Sequence, residues 1–215
     1  MKKKPLISII ITYYKKKIYL KKTIKSILDQ SYKNYELIFV YDDTNLEDLK
    51  YIKSLISKFK KKRLIINKKN LGVAKSRNIG VKFCKGSYIA FIDSDDLWNK
   101  DKLSKQLDFM QKNSYLFSFT SYMEVNEEGN FIRERKVYRD ANYTNLYRSN
   151  FIGLSTVMIN KKIFSKINFP ILNTQEDFAL WLKLARQGIK LKHFKNSLSS
   201  WRNTKNSLSS NVIRK

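Results

Sequence analysis

The sequence predicts an α/β fold: a mostly parallel central sheet flanked by helices, with a smaller, mixed second portion. Two observations point there. Short apolar runs rich in β-branched residues alternate with segments of helical period through the first hundred residues, and alternation with short connections builds parallel strands joined by crossover helices. The runs are apolar at nearly every position, as strands covered on both faces require. A length of 215 residues, 42% hydrophobic and 13% aromatic, supports one packed core and falls short of two ordinary domains, so one domain over residues 1–215 is expected.

Leu6–Thr12, bounded by Pro5 and the charge of Lys15–Lys17, reads as the first strand. Ile18, Leu20, Ile24, Ile27 and Leu28 mark one face of a helix ending near Gln30, and Tyr35–Tyr41 is the second strand. Leu46–Phe59 carries Leu46, Leu49, Ile52, Leu55 and Ile56 at helical spacing, before a short strand at Leu64–Asn67. A helix over Leu71–Cys84 stops at Gly86, and Tyr88–Ile92 is the next strand. Beyond Asp96 the pattern loosens: a helix at Lys100–Lys112, a strand at Tyr115–Tyr122, a turn through Asn126–Asn130 and a hairpin partner at Phe131–Tyr138. Ser155–Asn160 reads as a strand, and Thr174–Gln187 as an amphipathic helix closed by Gly188.

Charge is the unusual number. Lys and Arg total 44 against 18 Asp and Glu, a net charge of +26, which favours an anionic partner: nucleic acid, an anionic lipid surface or a phosphorylated small molecule. No stretch suits a bilayer, since a spanning helix needs about 20 apolar residues and the longest uncharged run is Ser149–Asn160. Leu6–Tyr14 imitates a signal peptide, but lysines follow where a small-residue cleavage site would stand. A lone cysteine, Cys84, cannot close an internal disulfide and fits a reducing compartment. His193 is the chain's one histidine, so a histidine triad or multi-histidine zinc site has no material.

Three acidic clusters stand against this basic background: Asp42-Asp43, Asp93-Ser94-Asp95-Asp96 and Glu176-Asp177. The first two follow predicted strands, where ligands of parallel sheets bind. Closely spaced carboxylates repel unless a cation or proton offsets them, so Asp93, Asp95 and Asp96 suit Mg²⁺ or Mn²⁺ held jointly with substrate phosphates, or a plain strand-end turn. A carboxylate at 42 or 43 could accept a nucleobase N–H, and Asp-Asp-Thr-Asn equally suits a turn. Thr174 as N-cap with Asp177 three later would serve the helix start. Lys68, Lys69, Lys75 and Arg77 lie close in sequence to the acidic strand end and could neutralise a diphosphate. Tyr13 and Tyr14 end the first strand, as base-stacking or packing residues.

Taken in order, Ile7–Tyr14 (ISIIITYY), Ser26–Tyr35 (SILDQSYKNY), Glu36–Asp43 (ELIFVYDD), Asn70–Gly80 (NLGVAKSRNIG), Gly86–Trp98 (GSYIAFIDSDDLW) and Glu176–Trp181 (EDFALW) resemble glycosyltransferase family 2 of the bacterial surface-glycan type. The resemblance resumes at Phe151–Asn160 and Trp201–Ser210 and is thin over Lys112–Ser149. It implies a GT-A, Rossmann-like fold with a nucleotide-sugar-binding half (1–100) and an acceptor-side half (101–215). It further implies inverting, divalent-metal-dependent transfer of a hexosyl or N-acetylhexosaminyl group, usually from a UDP-sugar, to a hydroxyl of a glycan or lipid-linked saccharide. By that resemblance Thr12 and Asp42 contact the nucleotide, with Tyr14 beside them, and Arg77 meets the diphosphate. Asp93-Ser94-Asp95 is the DxD element, with Asp95 as metal ligand and Asp96 in competition, and Asp177 is the catalytic base.

Some positions depart from the family pattern. Thr12 stands where proline is usual and Lys15 where asparagine is common. No histidine follows Trp201-Arg202-Asn203-Thr204 as a third metal ligand, so Arg202 or Lys205 is expected to contact phosphate instead. Relatives commonly continue past the Asn206–Ser210 segment. The implied setting is cytoplasmic, peripheral at the inner membrane face, with no nucleic acid. Two rivals remain: a basic nucleic-acid-binding module, which leaves the acidic clusters unexplained, and a nucleotide-sugar-binding subunit without turnover.

Overall fold

A computed structural model describes residues 4–204; Lys205 and the Asn206–Ser210 segment lie outside the described residues. The first half alternates β1 (Ile7–Tyr13), α1 (Lys17–Leu28), β2 (Tyr35–Tyr41), α2 (Leu46–Ile56), β3 (Lys62–Ile66), α3 (Val73–Phe83) and β4 (Tyr88–Phe91). β1 pairs in parallel with β2 and β4, and β3 extends the sheet beyond β2. The chain thus builds outward from β1 to β3 and then returns to β1's other side. That reversal opens a crevice beyond the carboxyl ends of β1 and β4.

The second half adds β5 (Leu97–Trp98), α4 (Lys102–Lys112), β6 (Phe117–Val125), β7 (Phe131–Arg135), α5 (Tyr143–Arg148), β8 (Met158–Asn160), α6 (Glu176–Arg186) and β9 (Leu191–Arg202). Among the described residues these complete a nine-stranded sheet in the order β3-β2-β1-β4-β8-β6-β9-β5, with β7 alongside β6. β8 runs antiparallel to both β4 and β6, and β9 runs parallel to β6. β6 and β9 therefore share the direction of β1, and their carboxyl ends reach the edge where the crevice opens.

Period-two alternation within buried strands explains the two cores. Ile7, Ile9, Ile11 and Tyr13 of β1 pack with Leu20, Ile24 and Ile27 of α1 and Ile52 of α2. Ile10 belongs to the opposite layer, with Ala74 and Val81 of α3 and Leu180, Trp181 and Leu184 of α6. One glycine is required by close approach: a Cβ on Gly86 would lie 2.6 Å from the Leu6 carbonyl oxygen and 2.7 Å from the Ser8 nitrogen. A buried polar chain ties α4 in place, with Lys102 Nζ donating to Gln106 Oε1 (2.8 Å) and Gln106 Nε2 donating to the Ser118 and Thr156 carbonyls. Burial pushes the Lys102 amine down to about 7.

The structure corrects three expectations. Only Met158–Asn160 of the strand expected at Ser155–Asn160 forms; residues 154–156 make a 3₁₀ turn in which Thr156 Oγ1 donates to the Gly153 carbonyl (2.6 Å), a local side-chain bond that competes with ladder pairing. Thr174 does not cap α6: Gln175 holds that place with φ 59° and no side-chain capping bond. The twelve-residue β9, between β6 and β5, carries no strand signal in the sequence beyond the Trp201-Arg202 motif. Its polar residues, and two register shifts against β6 near Ser121, erase the alternation that marks a strand.

Lys15, between β1 and α1, is one of three non-glycine residues with positive φ among the described residues, at 51°. A long side chain in this left-handed region carries strain of about 1 kcal/mol, whereas asparagine and glycine tolerate it. Lys15→Asn is expected to raise Tm by about 1–4 °C in a thermal melt, and Lys15→Val to lower it. Gly86→Ala is expected to destabilise in the same assay, because the clash is with backbone.

Candidate active site

The loop after β4 is clamped at every residue, and two of its carboxylates, Asp93 and Asp95, are ion-paired. Ser155 Oγ accepts from the Asp93 N–H (3.0 Å) and donates to Asp96 Oδ2 (2.5 Å). Thr23 Oγ1 of α1 donates to the Ser94 carbonyl (3.0 Å), and Arg202 Nε to the Asp95 carbonyl (2.9 Å). The Arg202 N–H donates to Asp96 Oδ1 (2.9 Å). Asp96 is thereby buried with both oxygens engaged, and burial beside Asp95 and Asp93 drives its carboxyl well above the usual range. Asp93 meets Arg77 Nη2 through Oδ1 (2.8 Å), and Asp95 meets Lys16 Nζ through Oδ2 (2.9 Å). Burial, reinforced by Asp93, also raises Asp95.

Asp42, buried at the end of β2, organises the next wall of the crevice. Its Oδ1 accepts from Asn67 Nδ2 (2.8 Å) and the Leu71 N–H (2.8 Å), and its Oδ2 from the Gly72 N–H (3.0 Å). Asn67 also donates to Ser76 Oγ (2.9 Å), which fixes the loop to α3. A carboxylate offers about four acceptor positions, so Asp42 retains capacity for one more donor. Asp43 is used by the backbone: Oδ1 accepts from the Thr44 N–H (2.7 Å) and Oδ2 from the Lys15 N–H (3.1 Å). Thr12 is half-buried at the end of β1, and Tyr14 is 46% exposed there with Lys15 Nζ over its ring. Tyr13 points inward and donates to Asp48 Oδ2 (2.6 Å), so of the two tyrosines Tyr13 is a packing residue.

Arg77 joins the two halves. It rises from α3 into a buried position, with Nη2 on Asp93 and Nη1 on Glu176 at the start of α6. Phe169 lies under the guanidinium, 5.7 Å from ring centre to Cζ. A buried guanidinium with two carboxylates satisfies charges that would each be costly alone. The next residue on α6 is Asp177, half-buried, whose Oδ1 accepts from the Phe178 N–H (2.7 Å). Burial pushes its carboxyl up to about 6, with Arg77 pulling against the rise and Glu176 adding to it.

A family model described as glycosyl transferase family 2 matches residues 8–173. The chain belongs to glycosyltransferase family 2. TuaG of Bacillus subtilis (strain 168), assigned to teichuronic acid biosynthesis, is 36% identical to this transferase over 97% of the chain and 83% of its own length. WfaP of Escherichia coli, a UDP-Glc:α-D-GlcNAc-diphosphoundecaprenol β-1,3-glucosyltransferase, is 36% identical over 87% of the chain and 73% of its length. Among solved structures, Staphylococcus aureus TarS 1–349 in complex with UDP-GlcNAc superposes with a TM-score of 0.78 at 18% identity, covering 95% of this chain and 60% of that one. That likeness shows the GT-A fold expected from the sequence.

In this transferase, then, the structure links Arg77 to Asp93 and to Glu176, next to Asp177, and pairs Asp95 with Lys16, while Asp42 is held by Asn67, Leu71 and Gly72 at the end of β2. Asp96 braces the loop. Arg202, 1% exposed, gives Nη1 to the Asn126 and Glu127 carbonyls (3.1 and 2.7 Å) and so holds the β6–β7 turn, while its buried Nη2 has no hydrogen-bond partner. His193 sits far along β9 from Arg202, sharing a hydrogen bond between Nε2 and Ser121 Oγ (3.1 Å). Two residues at the site were not singled out from sequence. Lys16 was one of a lysine run, and Ser155 carried no signal beyond a matched stretch.

Among the described residues no group of three or more His, Cys, Asp or Glu side chains is placed to hold a metal. The donor set nevertheless suits a hard divalent cation: Asp93 and Asp95 each make one ion pair through a single oxygen, and Mg²⁺ or Mn²⁺ takes one or two carboxylates and completes its shell with water and phosphate.

Two outcomes are expected. Arg77→Ala strands buried Glu176 without its cation and should cost about 3–5 kcal/mol, a Tm loss of about 10 °C. The raised Asp177 pKa means the folded state holds that proton more tightly than the unfolded chain. Its ionised form therefore costs stability as pH rises from the ordinary carboxyl range through about 6. Asp177→Asn should raise Tm by about 2–4 °C at pH 7.5, for about 1 kcal/mol after discounting solvent screening, and leave it unchanged near pH 3.5.

Proposed function

We propose that the protein is an inverting transferase that moves a sugar from a UDP-sugar to a hydroxyl of a lipid-linked saccharide, with Asp177 as general base. The observation that carries this reading is the Arg77 bridge, which fastens the helix bearing Asp177 to the strand end bearing Asp93. Direct displacement needs a base on the acceptor hydroxyl and charge stabilisation at the leaving diphosphate, on opposite sides of the anomeric carbon. A carboxylate with a pKa near 6 is ionised at neutral pH yet basic enough to accept a proton as the hydroxyl attacks.

Asp42 would meet the base through its remaining acceptor position, beside Thr12 and the exposed ring of Tyr14. Asp93 and Asp95 would hold Mg²⁺ or Mn²⁺, which when bound offsets charge on the departing phosphate oxygen. Asp95 is the stronger candidate than Asp96, both of whose oxygens are engaged. Arg77, held by two carboxylates, orients Asp93 and reaches a diphosphate through electrostatics over short range. The donor class is supported by the UDP-GlcNAc complex of TarS and the acceptor class by the diphosphoundecaprenol substrate of WfaP. No helix among the described residues is long and apolar enough to cross a membrane. The net charge of +26 would draw the protein to anionic headgroups at a membrane's cytoplasmic face, by about 1 kcal/mol per surface Lys or Arg close to it.

Asp177→Asn is expected to keep UDP affinity within about twofold while transfer to a GlcNAc-diphospho-lipid acceptor falls by about 10²–10⁴-fold; unchanged transfer overturns Asp177 as base. In the parent protein kcat/KM should fall about tenfold per pH unit below about 6 and level off above it, because only the carboxylate accepts a proton. Failure to bind any nucleotide-sugar in a thermal-shift screen with Mn²⁺ overturns the donor assignment.

A further inference from the structure

Lys16 sits where the donor's charged end would lie. Its Nζ is 2.9 Å from Asp95 Oδ2 and 3.0 Å from Thr204 Oγ1, with the Tyr19 ring 5.8 Å away. Side-chain exposures of 22% for Lys16 and 14% for Asp95 distinguish this pair from the solvated ion pairs elsewhere on the chain, such as Lys25–Asp29. The backbone that delivers Lys16 is strained: Lys15 holds φ 51° while its N–H donates to Asp43 Oδ2. Strain kept at a strand end beside a ligand crevice points to a residue being aimed. Each ion-paired carboxylate of the loop thus has its own cation, Arg77 on Asp93 and Lys16 on Asp95, but the two cations differ in what they can do. Arg77 is buried and held by two carboxylates. Lys16 is a flexible ammonium with three donors, two of them engaged by single contacts.

We propose that Lys16 is a diphosphate-binding residue that serves as the counter-ion of Asp95 until the donor arrives. The inference rests on the reading of Asp95 as a divalent-cation ligand. An ammonium 2.9 Å from that carboxylate competes with a cation for the same oxygen. When a cation and diphosphate take Asp95, the released ammonium is within a side chain's swing of phosphate oxygens sharing that cation. One lysine thereby opposes metal binding in the free protein and supports nucleotide binding, so the two ligands enter best together.

The test measures binding alone. Mn²⁺ affinity without nucleotide is read from the free-ion electron paramagnetic resonance signal, and UDP affinity in EDTA by calorimetry, for the parent protein, Lys16→Met, Lys16→Gln and Asp95→Asn. Lys16→Met should tighten Mn²⁺ about tenfold and weaken metal-free UDP about tenfold, the order expected for removing one charge a few ångströms from an ion at a partly exposed site. Lys16→Gln keeps length and hydrogen bonding without charge, and should follow Lys16→Met. Opposite shifts in both variants support the proposal. If either affinity stays unchanged in a folded variant, the proposal is overturned and the pair is structural. If Asp95→Asn leaves Mn²⁺ affinity unchanged, the cation-site reading itself falls, and the Lys16 proposal with it.

Discussion

The buried guanidinium of Arg77, gripped by Asp93 from one half of the chain and Glu176 from the other, is the constraint on which the crevice depends. Removing a charge from water is costly, and Arg77 and Glu176 are both almost wholly buried, so neither is tolerable without the other. Meeting that demand requires the amino end of α6 to abut the carboxyl end of β4. Asp177 follows Glu176 by one residue, and its placement beside Asp93 is a geometric consequence of the same ion pair. Charge satisfaction thus fixes the distance between the groups that would grip the donor and the group that would take the acceptor's proton.

Local charge at the crevice is unlike the charge of the whole chain. With a net charge of +26, a basic groove would be the simple expectation, and it is what a nucleic-acid surface would need. The structure instead assembles carboxylates round the strand ends and assigns each a specific cation or donor: Arg77, Lys16 and the backbone N–H of Arg202. Repulsion among Asp93, Asp95 and Asp96 is contained by these contacts, and burial drives Asp96 toward its protonated form. A loop braced by Ser155, Thr23 and Arg202 at successive residues is preorganised, so charge brought by a ligand meets fixed partners.

The legible part of the fold was the part with strong periodicity. β2 runs over Tyr35–Tyr41 as expected, and the other strands and helices of the first half lie within a few residues of their expected places. There the strands are buried on both faces and the helices show one apolar face, so sequence and environment agree. The second half was harder to read. β9 is long and lies next to the two-residue edge strand β5, yet its Lys, His, Asn and Ser residues follow no alternation, because bulges shift its pairing with β6. Short elements such as β5 and α5 carry too few residues to show a period. Of the site, the acidic clusters were visible because carboxylates are scarce in so basic a chain. Lys16 was hidden among neighbouring lysines, and nothing in the sequence shows that Arg202 Nε and Nη1 serve main-chain carbonyls.

Sequence alone determined the alternating parallel half, the positions of its strand ends and the acidic residues that fall there, since hydrophobic period and residue type are local properties. Only the tertiary structure decided how those acids are partnered: Asp96 is consumed by Ser155 and Arg202, Asp43 by the following turn, while Asp93 and Asp95 each pair with one cation, Arg77 and Lys16. It also decided that Thr174 takes no part in capping α6, while Asp177 accepts from the Phe178 N–H of the first turn and feels the charge of Arg77. The physical reason is that a carboxylate's charge state and partners are set by groups from distant segments, brought close only when the sheet closes and buried charge must be paired.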